Sequence, residues 1–167
     1  MATTFIVLAH PDPGSFNAQW ARETIKACKR AGDTILFSDL VGMGFDPVEK
    51  KAHYGGILRE DRFDPLKAQE LAASTGLIPN DVADEIAKLK RADRLIFHFP
   101  IWWFGPPAVL KGWFDRVFAH GATHSVDQRF DNGRFRGRKA LLCVTTGSRA
   151  SESRYNGKEG DIQMLLW

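Results

Sequence analysis

The stretch Leu95–Phe118, LIFHFPIWWFGPPAVLKGWFDRVF, decides how the chain reads. Its first part, Leu95 to Phe99, is apolar and aromatic apart from His98, the composition of a buried strand. From Pro107 on, Val109, Leu110, Trp113, Phe114 and Val117 recur at helical spacing and form one broad apolar stripe. Between strand and helix lies Pro100-Ile101-Trp102-Trp103-Phe104-Gly105-Pro106, a connection loaded with aromatic rings where loops are normally polar. Pro and Gly fix the backbone that presents those rings. Such rings either cover a flat apolar ligand or plug the top of the core, and the stretch alone leaves both readings open.

Working outward, Thr4 to Ala9 is β-branched and apolar, a buried first strand. His10-Pro11-Asp12-Pro13-Gly14-Ser15-Phe16-Asn17 cannot continue it. Ser15 can cap a helix with Trp20, Ala21, Ala27, Cys28 and Ala31 on its apolar positions, stopped by Gly32. Thr34 to Phe37 then reads as a second strand, completing a parallel crossover unit. Val41 to Pro79 is poorly patterned and long for a connection, which marks a functional excursion or a segment ordered by a partner; Pro65 to Ala73 could be a short helix within it. Asn80 is placed to cap a helix with Val82, Ile86 and Leu89 in register, its acids (Asp81, Asp84, Glu85) early and its bases (Lys88, Lys90, Arg91) late. Ala119 to Arg138 is irregular and basic: Asn132-Gly133 between Phe130 and Phe135 signals a hairpin turn, and Arg129, Arg134, Arg136, Arg138 and Lys139 read as a solvated face before a phosphate contact. Ala140 to Thr145 is the fourth strand, and Thr146-Gly147-Ser148 opens a polar loop.

At 167 residues the chain fits one domain, residues 1–167, with a real core. A net charge of +3 is too small to argue for nucleic acid. Cys28 and Cys143 show neither C-x-x-C nor metal spacing, which favours a reducing compartment over a disulfide scaffold. Phe5 to Ala9 lacks the length and basic flank of a signal peptide, and no run is long enough to span a membrane. A cytoplasmic protein is expected. His120 and His124 lack a carboxylate or Cys at ligand spacing, so no metal is assigned. His98 reads as a satisfied core histidine, Cys143 as a small core residue, and Asp115 and Arg116 as surface or dimer contacts.

Strands alternating with helices imply an α/β fold with an open, doubly wound parallel sheet, in which ligands bind beyond the carboxyl ends of the strands. The loops His10 to Asn17, Pro100 to Gly105 and Thr145 onward all leave such ends. The first enters a helix N-terminus with Gly, Ser and Asn donors, as an anionic phosphate requires. It carries neither G-x-G-x-x-G nor G-x-x-x-x-G-K-[ST], so neither a dinucleotide fingerprint nor a P-loop is supported. Phosphate donors beside an aromatic shelf suit a flavin nucleotide.

These motifs, His10-x-x-x-x-Ser15-Phe16-Asn17, Phe99-Pro100-x-x-Trp103-Phe104-Gly105-x-Pro107-Ala108-x-Leu110-Lys111-Gly112-Trp113-Phe114-Asp115-Arg116-Val117 and Thr145-Thr146-Gly147, resemble the NAD(P)H:quinone oxidoreductase family. The resemblance implies a flavodoxin-like fold, with the family's fifth strand absent from this chain. It implies a flavin, FAD ahead of FMN, held by His10, Ser15, Phe16, Asn17, Pro100, Ile101, Trp102, Trp103, Phe104, Thr145, Thr146, Gly147 and Ser148. It also implies NAD(P)H as co-substrate, a quinone-like acceptor, and a homodimer with the active site at the subunit interface. Trp103, Phe104, His124 and Val126 fall where relatives line the substrate slot. The active-site Tyr of well-studied relatives falls at Ser153, with Tyr155 close by, and their assisting His or Asn falls at Glu159, so Tyr155 and Glu159 are the candidate proton donors. The expected chemistry is hydride transfer from NAD(P)H to flavin and two-electron reduction of a quinone. Its rivals are a regulatory flavoprotein docked on a partner such as a potassium-efflux system, and a truncated, non-enzymatic relative.

Overall fold

A computed structural model describes residues 1–58, 62–162 and 164. Its strands β1 (Thr3–Leu8), β2 (Thr34–Asp39), β3 (Arg94–Pro100) and β4 (Lys139–Thr145) form one parallel sheet in the order β2-β1-β3-β4. β1 is central and nearly all buried, which is why its sequence is a continuous apolar run rather than an alternating one. Strand order reverses between β1 and β3, and this places the crevice at their carboxyl ends.

Alternation along the strands divides the apolar side chains between two faces. Phe5, Val7, Leu95 and Phe97 face helices α3 (Asn80–Arg91) and α4 (Ala108–Val117), where Ile86, Leu89, Leu110, Trp113 and Val117 complete the larger core. Ile6, Ile96 and Cys143 face α1 (Phe16–Arg30) with Ile25 and Cys28 against them. Each such side chain removed from water contributes about 1.5–3 kcal/mol. The sheet and these helices thus match the doubly wound α/β expectation. Among the described residues β4 pairs only with β3, and Leu141 on it is 54% exposed.

The excursion after β2 is seated on α4. A 3-10 turn spans Lys51–Tyr54, and α2 covers Pro65–Thr75, with Asp64 accepting from the Lys67 N–H as its cap. Pro47 approaches Gly112 of α4 so closely that a Cβ there would lie 2.1 Å from the Pro47 carbonyl oxygen, so no larger residue fits.

Three sequence expectations change. Asn80 is the first residue of α3, not its cap: Pro79 occupies the cap position with φ −51 and makes no side-chain cap bond. Arg116 is not on the surface. It is 1% exposed, donating to Asp81 Oδ2 at 2.6 Å and the Asp46 carbonyl at 2.6 Å, so it clamps α4 to α3 and to the excursion. Glu85 of α3 is 0% exposed. One of its oxygens accepts from Ser38 Oγ (2.8 Å) and Lys88 Nζ (2.6 Å), the other from Trp113 Nε1 (2.8 Å). A buried carboxylate is tolerable only when paired and hydrogen-bonded in this way. Finally, Asn132-Gly133 does turn the chain, but as the end of a 3-10 turn over Phe130–Asn132, without flanking hairpin strands.

Candidate active site

The three connections leaving the carboxyl ends of β1, β3 and β4 meet, and specific bonds join them. Ser15 caps α1 by accepting from the Ala18 N–H at 3.2 Å, which orients the helix N-terminus toward the crevice end of the sheet. Asn17, 3% exposed, donates its side-chain N–H to Thr145 Oγ1 at 2.7 Å, tying the first turn of α1 to the end of β4. The Ile101 N–H donates to the Thr145 carbonyl at 2.8 Å, tying the aromatic loop to the same point. His10 lies against Trp102 with ring centroids 6.1 Å apart. Its Nδ1 accepts from the Asp12 N–H at 3.0 Å, so the ring is also a local turn brace.

The aromatic loop is a two-residue reversal. Trp102 and Gly105 exchange N–H···O bonds of 2.9 and 3.1 Å, leaving Trp103 and Phe104 at the corner with φ of 50° and 63°. Such turns normally take Asn-Gly, because a side chain with positive φ clashes with its own backbone at a cost of roughly 1–2 kcal/mol per residue. The result is a strained corner holding two large rings outward: Trp103 is 95% exposed and Phe104 54%. That excludes the core plug left open by the sequence. Strain held against solvent exposure is the pattern found at ligand clamps.

Beside the corner is a cleft of about 260 Å³, lined by Ile101, Trp103 and Phe104 from the aromatic loop and by Thr146, Gly147, Ser148, Glu159 and Ile162 from the loop after β4. The Ser148 N–H is held by Thr146 Oγ1 at 3.2 Å. Of the two candidate proton donors, Glu159 lines the cleft, whereas Tyr155 is 78% exposed and outside the lining. Ile162 is the lining residue that no motif marked. His124, half-buried, and Val126, 66% exposed, lie apart, at the irregular segment that follows α4.

His98 is not a satisfied core histidine. It is 0% exposed between Leu8 and Cys143 in the sheet, neither ring nitrogen has a hydrogen-bond partner among the described residues, and Trp20 meets it edge-on at 5.2 Å. Burial pushes its pKa down to about 4, so the ring is neutral at pH 7. Burial likewise raises the Cys143 thiol, an inert position for a nucleophile. Among the described residues no group of His, Cys, Asp and Glu is arranged to hold a metal ion, and no helix is long and apolar enough to cross a membrane.

The donor set suits a flavin nucleotide on its own chemistry. A capped helix N-terminus offers backbone N–H groups to an anion, exposed rings offer stacking surface, and Asn17 Oδ1 is a buried acceptor beneath the crevice with no partner among the described residues. Residues 2–167 match the family model described as a flavodoxin-like fold. The chain is 37% identical to NAD(P)H dehydrogenase [quinone] 1 of Cavia porcellus over 163 residues, 97% of this chain and 59% of that one. To the ribosyldihydronicotinamide dehydrogenase [quinone] of Homo sapiens it is 36% identical, covering 71% of that protein. A solved structure from Klebsiella pneumoniae superposes with a TM-score of 0.90 at 32% identity, over 99% of this chain and 67% of that one. The chain thus spans about three-fifths of the length of the first of these relatives. With the strand order and the three loop motifs, these matches place the chain in the flavodoxin-like fold family, where it belongs to the NAD(P)H:quinone oxidoreductase group.

Proposed function

We propose that the chain forms the flavin-holding part of an NAD(P)H:quinone oxidoreductase. The observation that carries this reading is the convergence of a capped helix N-terminus, a strained aromatic corner and a hydroxyl-bearing loop on one crevice, cross-tied by Asn17 and Thr145. When bound, the flavin supplies the two-electron chemistry that links a nicotinamide donor to a quinone acceptor. Everything else falls to the protein.

The α1 N-terminus, with Ser15, Phe16 and Asn17, serves the phosphate side, where N–H groups without intrahelical partners favour negative charge. Pro100 to Phe104 serve the ring side, and Thr145 to Ser148 supply hydroxyl and backbone contacts. Trp103 and Phe104 offer a flat, apolar wall for a nicotinamide and a quinone in turn. Reduction of a quinone needs protons as well as electrons, and a positioned acid typically contributes a factor of about 10²–10⁴. Glu159 is the side chain best placed to supply one, with Tyr155 reaching the cleft only if its loop rearranges.

The finer parts of this reading are FAD rather than FMN, a homodimer, His124 and Val126 as slot residues contributed across the subunit interface, and a cytoplasmic setting. The regulatory and non-enzymatic alternatives are less favoured, because the similar proteins are named as quinone dehydrogenases. The test is anaerobic mixing of the flavin-loaded protein with NADPH and then with a benzoquinone. Bleaching and recovery of the flavin absorbance support an oxidoreductase; loaded protein that NADPH and NADH both fail to bleach contradicts it.

A further inference from the structure

The basic segment after α4 divides into two uses. Arg138 is occupied: its guanidinium donates to the Leu89 and Lys90 carbonyls at the end of α3, where carbonyls lack intrahelical partners, and lies 4.9 Å over the Phe135 ring. Arg129, Arg134 and Arg136 are different. All three line one cleft of about 410 Å³, together with His124, Phe130 and Phe135. Among the described residues, no carboxylate lies within ion-pair distance of any of the three.

Three permanently charged guanidinium groups around one cavity repel one another, and an anion in the cavity removes that repulsion. Guanidinium forks match phosphate oxygens in bidentate geometry, which makes a phosphate the best-fitting anion. The aromatic component is just as specific. Phe130 is 87% exposed at a φ of 51°, a conformation costly for a side chain, with the Arg129 guanidinium 5.5 Å from its ring centre. Exposed aromatic rings interleaved with arginine are how proteins stack a nucleobase and hold its phosphate. The cleft is shallow, but its volume falls in the range of about 300–1,000 Å³ typical of small-molecule sites, which favours a mononucleotide unit over a nucleic-acid strand.

We propose that this cleft is a docking site for the phosphate-bearing adenosine part of a nucleotide, with phosphate on Arg129, Arg134 and Arg136 and base against Phe130 and Phe135. Two sources share that chemistry: the 2′-phosphate end of NADPH, and the diphosphate of a dinucleotide without it. Only the assignment to NADPH rests on the oxidoreductase reading; the cleft itself does not.

The experiment is calorimetric titration of the full chain with 2′,5′-ADP, 5′-ADP and adenosine. The structure calls for 2′,5′-ADP to bind at least tenfold tighter than adenosine, and for the double variant R134A/R136A to lose tenfold or more of that affinity with unchanged circular dichroism. Phe130→Ala should weaken all three ligands, adenosine included. Preference for 2′,5′-ADP over 5′-ADP supports the NADPH source; equal affinity supports the cleft with a diphosphate source. No binding at millimolar 2′,5′-ADP or 5′-ADP, affinity indifferent to the arginine substitutions, or capture of single-stranded oligonucleotide that 2′,5′-ADP does not displace overturns the proposal. Binding of 2′,5′-ADP by a protein that fails the flavin-bleaching test leaves the cleft standing and removes the oxidoreductase, so the two failures are distinct.

Discussion

The Asn17 side-chain amide donates to Thr145 Oγ1 at 2.7 Å across 128 positions of chain, joining the first turn of α1 to the end of β4 beneath the crevice. Asn17→Ala should lower stability by about 1–3 kcal/mol, the cost of a broken buried bond. It should lower flavin retention by more than that loss explains. Urea denaturation beside the flavin-to-protein absorbance ratio reads both, and a variant that unfolds more easily yet keeps its full flavin would assign Asn17 to the fold alone.

The turn at Trp103 and Phe104 trades stability for position. Replacing the pair by Asn-Gly, the residues that such a reversal prefers, should raise stability by about 2–4 kcal/mol, because two positive-φ side chains are relieved. Quinone turnover should fall at least tenfold in the same protein, since the stacking wall is gone. Thermal melts and steady-state rates on W103N/F104G are the measurement. A core role for these rings demands the opposite stability change.

Much of this was legible in the sequence, and for definite reasons. Strands such as Thr3–Leu8 announce themselves as short apolar runs and helices such as Ala108–Val117 through their periodicity, and the crevice follows from where their connecting loops must emerge. What stayed hidden depends on partners far away in the chain. Arg116 follows acidic Asp115 on a helix that reads as half polar, and nothing local shows that Asp81 and the Asp46 carbonyl wait for it. Glu85 looks like one more solvated acid until Ser38 and Trp113 are brought to it by the sheet. Asn80 is an ordinary cap residue displaced by one position, because Pro79 fixes the backbone ahead of it.

Glu85 ties β2, α3 and α4 together. Glu85→Ala leaves the buried Trp113 N–H and Ser38 hydroxyl without their acceptor and removes the partner of Lys88, so a loss of roughly 3–5 kcal/mol is expected. Chemical denaturation gives the value. A loss below about 1 kcal/mol would show that the network is a solvated surface feature after all.

His98 sets an acid limit on the fold. Its pKa is held near 4 in the folded chain by burial, below the ordinary value of 6.5. Between those two values the unfolded chain takes up a proton that the folded one refuses, so stability is complete above pH 6.5 and falls as pH drops toward 4. The shift corresponds to roughly 3 kcal/mol over the whole window. His98→Gln should flatten that part of the profile. Identical slopes for the two proteins between pH 6.5 and 4.5 would mean that His98 does not titrate on unfolding.

The proposed function depends on the three loops holding a flavin. Adding FAD and, separately, FMN to flavin-stripped protein while following flavin fluorescence tests it most directly. Saturable quenching at one flavin per chain is expected, tighter for FAD, and weakened at least tenfold by Asn17→Ala with unchanged circular dichroism. Fluorescence that stays at the free-flavin level up to high micromolar protein, with both nucleotides, would contradict the account.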